Sequence, residues 1–599
     1  MDKKNNFFLS FLHGVNIVRL VITNIVFFTI LLLVFVFLAY FSTSSEGIPD
    51  VSYGTILEVV PEGAITEESS DYEWVNEFVT DRGSPSRLFD IIKAIRFAAN
   101  DERIEALYLD FSSLEEFSIS HLSELEEALK YFKESKKPIW AYSTSYSKQD
   151  YYIASFADYV GLDPLGEVEL GGFSVESMYF KGMEEKFGVL FQTFHAGECK
   201  GAVESFSRKD MSADVRENIG SMLFDMWGTY CKNVGKNVKK NPQEIESFAL
   251  QSYDLILKYN GDGGAMALGE GMVSELVEEE TFREHMKTEL SSDSAEDLSF
   301  LSFSDYVKSI DSTEKKDKVA IIYLTGSITS ATDSGYSSDV ASSSVLEELF
   351  ERAGEDESIK AIVLRIDSGG GEVFASERIR RILKKTIDKI EKPVVVSMGD
   401  VAASGAYWIS SSASYIFASP FTITGSIGVL AVLPNFHSLL QDKLGITTDS
   451  VGVLNGRTSS LEPLSEDEIK KMQLSINATY DLFIDTVSKG RDMNAIDVLS
   501  IAEGRIYSGL QALKLGLVDE IGVFQNAIDK AAELAGIEDF SVTEVRPSSS
   551  SFNQWINDIF AHDSSYSTII KDQTVRELLS LQANMVNYVY TPYRLNLRK

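Results

Sequence analysis

Much of this 599-residue chain is written twice. Asp101-Glu102-Arg103-Ile104-Glu105-Ala106-Leu107-Tyr108-Leu109 returns 255 positions later as Asp356-Glu357-Ser358-Ile359-Lys360-Ala361-Ile362-Val363-Leu364, and Lys137-Pro138-Ile139 returns at the same offset as Lys392-Pro393-Val394. Tyr151-Tyr152-Ile153 answers Tyr407-Trp408-Ile409 at 256, and Lys186-Phe187-Gly188 answers Lys443-Leu444-Gly445 at 257. Offsets that drift by single residues are what small insertions leave in a duplicated sequence.

Each copy alternates short β-rich runs with amphipathic stretches. Ala361 to Ile366, Val394 to Ser397 and Tyr415 to Ala418 read as strands buried on both faces. Leu88, Ile91, Ile92, Ile95 and Ala98 form one helical stripe. The fold class expected is therefore α/β, two tandem units with mostly parallel sheets. The expected boundaries are 53–290 for the first unit, a Ser/Asp/Lys-rich connection at 291–318, 319–540 for the second, and an extension at 541–599 of open purpose.

Leu20 to Phe41 carries no charge, and as a helix it spans about 33 Å, enough for a bilayer core. A cleaved signal peptide is the alternative, but the apolar run is long and Ala39-Tyr40-Phe41 is a poor cleavage site. Lys3, Lys4 and Arg19 precede it, whereas only acidic residues follow as far as Arg82. That asymmetry puts residues 1–19 in the cytoplasm, a transmembrane helix at 20–41 and the body outside.

The formal charge of -35 repels phosphate backbones, so nucleic acid is not an expected partner. Cys199 and Cys231 lack metal-type spacing, and six scattered histidines offer no paired arrangement, so no metal or disulfide framework is expected.

Three segments of the second copy could carry chemistry. Asp367-Ser368-Gly369-Gly370-Gly371 follows a strand, and its glycines let backbone N–H groups face a ligand or an oxyanion; a tight turn is the plain alternative. Ser404, in Met398-Gly399-Asp400-Val401-Ala402-Ala403-Ser404-Gly405, stands where a strand ending near Met398 gives way to a helix. It reads either as a helix cap or as a nucleophile backed by the Gly405 N–H. Thr424-Gly425-Ser426-Ile427-Gly428 reads as a turn.

Comparing the copies sharpens these choices. Where the second has Gly369-Gly370-Gly371 the first has Leu114-Glu115-Glu116, and where the second has Ser404 the first has Lys148. Lys200 aligns with Arg457. A buried lysine can act as general base, whereas the far higher pKa of arginine forbids it. One composite site, a serine from one copy and a lysine from the other, accounts for this division.

At these motifs the chain resembles the long, duplicated members of the signal peptide peptidase A (protease IV) family, peptidase family S49, over roughly residues 53 to 540 and the anchor. The resemblance implies tandem crotonase/Clp-protease-like ββα-superhelix domains and a Ser-Lys dyad. It assigns Ser404 as nucleophile, Lys200 as general base and Ser426 as the hydroxyl that orients the lysine. Gly371 and Gly405 would form the oxyanion hole. It further implies no cofactor, a homotetramer, signal peptides and other apolar peptides as substrates, and a bacterial inner-membrane location with the body periplasmic. Three departures stand out. In the 367–371 loop Asp367 stands where the family has asparagine and glycine replaces its proline, which predicts a looser loop, and Gly201 follows the lysine where serine is usual. The rival readings are an inactive membrane scaffold, an acyl-CoA enzyme of the crotonase type, and a Ser-His hydrolase using His195 or His437.

Overall fold

A computed structural model describes residues 51–67, 86–116, 118–290, 298–310, 315–330, 340–449 and 459–547, the backbone of Tyr588–Tyr590, and scattered positions between 24 and 31. The apolar stretch 20–41 lies almost wholly outside the described residues, as do Arg457 and most of 541–599. No helix among the described residues is long and apolar enough to cross a membrane.

The two halves build the same sheet. In the first, six parallel strands run in the order Ser299–Ser302, Thr55–Val59, Ile104–Asp110, Ile139–Ser143, Tyr159–Leu162, Glu275–Leu276. In the second, Phe540–Glu544, Asp317–Thr325, Ile359–Ser368, Val394–Ala403, Tyr415–Ala418 and Glu520–Ile521 take the same places. The central strands are buried almost throughout, because helices cover both faces. Leu88–Asn100 buries Leu88, Ile91, Ile92, Ile95 and Ala98, the stripe its spacing predicts. Its counterpart Ser343–Glu355 buries Leu346, Leu349, Phe350 and Ala353.

The stretch 291–318, expected to connect the halves, also holds the strand Ser299–Ser302, which adds an edge to the first sheet, and the helix Phe303–Ser309. The matching edge strand of the second half, Phe540–Glu544, runs past the expected boundary at 540. The strand expected to end near Met398 continues to Ala403, because its last residues find a new parallel partner in Ile423–Gly425. That partner is also a correction: Thr424 and Gly425 are strand, not turn.

A further sheet joins the halves. Leu190–Ala196 of the first half pairs antiparallel with Val429–Asn435 of the second, from Ala196 opposite Val429 to Leu190 opposite Asn435. The hydrophobic core is shared as well: Val401, Ala403, Phe421, Ile423 and Ile506 pack into the first half's cluster.

Candidate active site

Ser404 stands between the strand Val394–Ala403 and the helix Gly405–Ser410, with φ 58° and ψ −117°. That backbone region is sparsely populated by residues with a β-carbon and costs on the order of 1–3 kcal/mol. The side chain does not cap the helix, so the bland reading of this serine fails. The conformation is held by flanking bonds: the Ser404 N–H donates to the Gly425 carbonyl at 2.8 Å, and the Trp408 N–H donates to the Ser404 carbonyl at 2.8 Å. A sharp, strained strand-to-helix turn aims a serine hydroxyl away from its own helix.

What it meets there comes from the other half. Lys200 follows the strand Leu190–Ala196, so the antiparallel ribbon between the halves delivers it to the serine. Its Nζ lies 2.7 Å from Ser404 Oγ, 2.8 Å from the Ser426 carbonyl oxygen and 2.9 Å from Ser426 Oγ. Ser426, at φ 53°, turns both of its oxygens to the amine. All three residues are buried, Lys200 at 3% exposure. Burial pushes the amine's pKa well below the ordinary 10.5. Neutral lysine has two N–H donors and one lone pair. A neutral amine with both donors on Ser426 would keep its lone pair for the Ser404 hydroxyl.

Gly371 and Gly405 converge beside the serine. A β-carbon on Gly405 would stand 2.5 Å from Ser376 Oγ and 3.2 Å from the Gly371 nitrogen, and one on Gly371 would stand 2.0 Å from the Ile328 carbonyl oxygen. Only glycine fits at Gly371, whereas at Gly405 a side chain would press on Ser376 Oγ and the Gly371 amide, so the two glycines share one corner. The loop before them is tied by Ser368, whose Oγ donates to the Gly326 carbonyl at 2.6 Å and accepts the Gly370 N–H at 3.1 Å.

The model of Peptidase family S49 matches residues 131–292 and 386–538, one match in each half. Protease 4 of Haemophilus influenzae is 33% identical over 540 residues, covering 88% of this chain and 87% of that protein. Protease 4 of Salmonella typhi is 35% identical over 463 residues, covering 77% of this chain and 74% of that protein. A chloroplastic serine protease SPPA of Arabidopsis thaliana is 27% identical over 499 residues, covering 81% and 70%. The chain belongs to peptidase family S49. It is therefore a peptidase, and the two matches mark its duplication.

Within this S49 peptidase the Lys200–Ser404 contact forms inside one chain, across the halves. Among the described residues the first half has no equivalent constellation: Lys148, at the place of Ser404, heads the helix Lys148–Ala154 and donates to the Gly172 carbonyl at 3.1 Å. Among the described residues neither histidine of the Ser-His reading bonds to Ser404. His437 Nδ1 lies 3.1 Å from the Leu461 carbonyl, and His195 is exposed on the inter-half ribbon.

Two features escaped the sequence reading. Residues 503–505 lie directly against the lysine loop, and nothing in a lone Glu-Gly-Arg signals this. The strand Tyr588–Tyr590 lies between Gly370–Glu372 and Val429–Asn435, antiparallel to both, with Val589 opposite Gly371 and Tyr588 opposite Leu430. The two flanking strands thus bound a slot one strand wide.

Proposed function

We propose that this S49 peptidase is a serine endopeptidase with a Ser404–Lys200 dyad that degrades remnant signal peptides and other apolar peptides. Neutral Lys200 takes the proton of Ser404, whose Oγ attacks the scissile carbonyl. The N–H groups of Gly371 and Gly405 receive the oxyanion, a contribution of about 3 kcal/mol per donor. Lys200 Nζ, now charged, returns the proton to the leaving amine. It then deprotonates the water that frees the acyl group. Ser426 keeps the amine aimed throughout. The observation that carries this reading is the 2.7 Å contact between a buried lysine amine and a buried, strained serine.

Substrates bind extended, as a strand added between Gly370–Glu372 and Val429–Asn435, with backbone hydrogen bonds supplying affinity regardless of sequence. The proposal includes tandem crotonase/Clp-protease-like ββα-superhelix halves, an anchor at 20–41 in the bacterial inner membrane, a periplasmic body and a homotetramer. Tethering at the bilayer gives a high effective concentration for membrane-embedded peptides.

The test is digestion of a synthetic signal peptide by the full-length protein in detergent at about pH 8, with products read by mass spectrometry. Folded Ser404→Ala and Lys200→Met variants are expected to lose at least about a thousandfold in kcat. A Lys200→Met protein that cuts normally overturns the dyad.

A further inference from the structure

Lys200 and its partner Ser426 sit in two irregular stretches from different halves, residues 197–200 and 426–428. A third stretch, residues 502–505, is bonded to both. The Glu503 carbonyl accepts the Cys199 N–H at 2.7 Å, and Glu503 Oε2 accepts the Glu198 N–H at 3.0 Å. On its other side the Gly504 N–H donates to the Ile427 carbonyl at 2.9 Å, and the Arg505 carbonyl accepts the Ser426 N–H at 2.7 Å. Glu503 is itself fixed, its N–H donating to Tyr480 Oη at 3.2 Å.

Glu503 and Gly504 are successive residues at positive φ, 53° and 74°, which buckles this stretch toward the lysine. The approach leaves no room: a β-carbon on Gly504 would stand 2.7 Å from the Lys200 nitrogen, 2.8 Å from its Cα and 2.9 Å from its Cβ. One on Gly197 would meet the Glu503 carbonyl carbon at 2.8 Å, and one on Gly428 would meet Lys200 Cδ at 3.2 Å. Backbone therefore walls the lysine stem. A free lysine side chain samples many rotamers, and a base that must meet one proton cannot keep that freedom.

We propose that Glu503 and Gly504 are positioning residues that lock the lysine loop of one half to the Ser426 loop of the other, fixing the Lys200 amine on Ser404. This rests on reading Lys200 as the general base. The ionisable groups around the lysine loop include Cys199 and Glu198 on it, Glu503 and Arg505 on the clamp, Asp214 on the neighbouring helix Ala213–Asn237, Tyr507 on the strand Ile506–Ser508 and Tyr480 on the helix Glu466–Gly490. None bonds to the amine, so the clamp acts through position and exclusion of water, not through charge.

The test compares full-length wild type with Gly504→Ala, Glu503→Leu, Glu503→Gln and Lys200→Met. It measures rates on a synthetic signal peptide across pH, and inactivation by a fluorophosphonate, which reads serine reactivity without peptide binding. Gly504→Ala and Glu503→Leu are expected to lower kcat on the order of ten- to a hundredfold, leaving KM within about twofold. Both should slow inactivation and move the acid limb of the kcat profile to higher pH as water reaches the amine. Glu503→Gln keeps an oxygen for the Glu198 N–H and should restore most of the rate. Folded Gly504→Ala and Glu503→Leu proteins with the wild-type kcat and acid limb overturn the clamp, as does a loss confined to KM or to thermal stability. Should Gly504→Ala not fold, the Leu and Gln pair at 503 decides. An active Lys200→Met is a separate failure, of the base assignment itself.

Discussion

At Ser404 and Lys200 the fold accepts two local costs, a backbone torsion that disfavours a side chain and an amine denied water. The second fixes a sign. In the unfolded chain Lys200 titrates near 10.5; in the folded protein burial holds its pKa well below that. Below the folded pKa the full penalty of burying the amine acts. As pH rises through the window between the two values the unfolded chain holds the extra proton, so stability climbs, and the penalty is gone above 10.5. Wild type should therefore gain stability on Lys200→Met between neutral and alkaline pH, by at most about 1.4 kcal/mol per unit. Denaturant midpoints of the two proteins at several pH values measure it, and parallel curves would contradict a depressed lysine. Activity has the same sign, rising with pH through the folded pKa. The identities of both residues were legible because the halves differ: serine against Lys148, lysine against Arg457. Their conformations were not. A serine at φ 58° and a glutamate at φ 53° leave no trace in composition, because the surrounding fold imposes the torsion.

At the scale of elements, the glycine corner and the slot make the sharpest predictions. Gly405→Ala would drive a methyl to 2.5 Å from Ser376 Oγ and crowd the Gly371 amide. Alanine keeps its own N–H, so the loss comes from pushing the two amides apart; as one donor of an oxyanion hole is typically worth about a hundred- to a thousandfold, kcat should fall by up to that order with KM little changed. Steady-state kinetics on one peptide checks this, and a loss confined to KM would remove Gly405 from the oxyanion hole. The strand Tyr588–Tyr590 occupies the slot assigned to substrate. Removing the chain from residue 588 onward should lower KM for a peptide, and a synthetic 588–599 peptide should inhibit the truncated protein competitively. An unchanged KM would argue that the slot binds no substrate. The long strands and amphipathic helices were legible from their periods, whereas Ser299–Ser302 and Phe540–Glu544 were not. At four and five residues, each half-exposed, they show no period of their own. They are strands because Thr55–Val59 and Asp317–Thr325 offer open edges.

At the scale of the molecule, the halves must stay docked for Lys200 to meet Ser404, and a charge cluster centred on Arg365 keys them. Arg365, at 1% exposure in the second half, places Nη2 2.6 Å from Glu67 Oε1 and Nη1 3.1 Å from Glu124 Oε1, both carboxylates of the first half. Glu124 also accepts the Phe524 N–H at 2.9 Å, and His121 Nε2 lies 3.1 Å from Glu67. Burial by itself would raise the Glu67 pKa, but Arg365 and His121 outweigh it and hold the carboxyl well below the ordinary 4.5. The stability this contributes is complete above 4.5 and is lost as pH falls toward the folded value. A Glu67→Gln protein should accordingly trail wild type at neutral pH and draw level with it on acidification. Arg365→Met leaves the buried Glu124 and the half-buried Glu67 without their cation, a loss of about 3 kcal/mol. Because Val401, Ala403, Phe421, Ile423 and Ile506 lie in the first half's core, that loss should lower one cooperative transition, not split it. Peptidase activity should vanish along the same melting curve, since Lys200 and Ser404 part when the halves do. Calorimetry with parallel activity assays decides it: activity lost in a separate, earlier step would mean that the halves fold independently and that Arg365 only latches them.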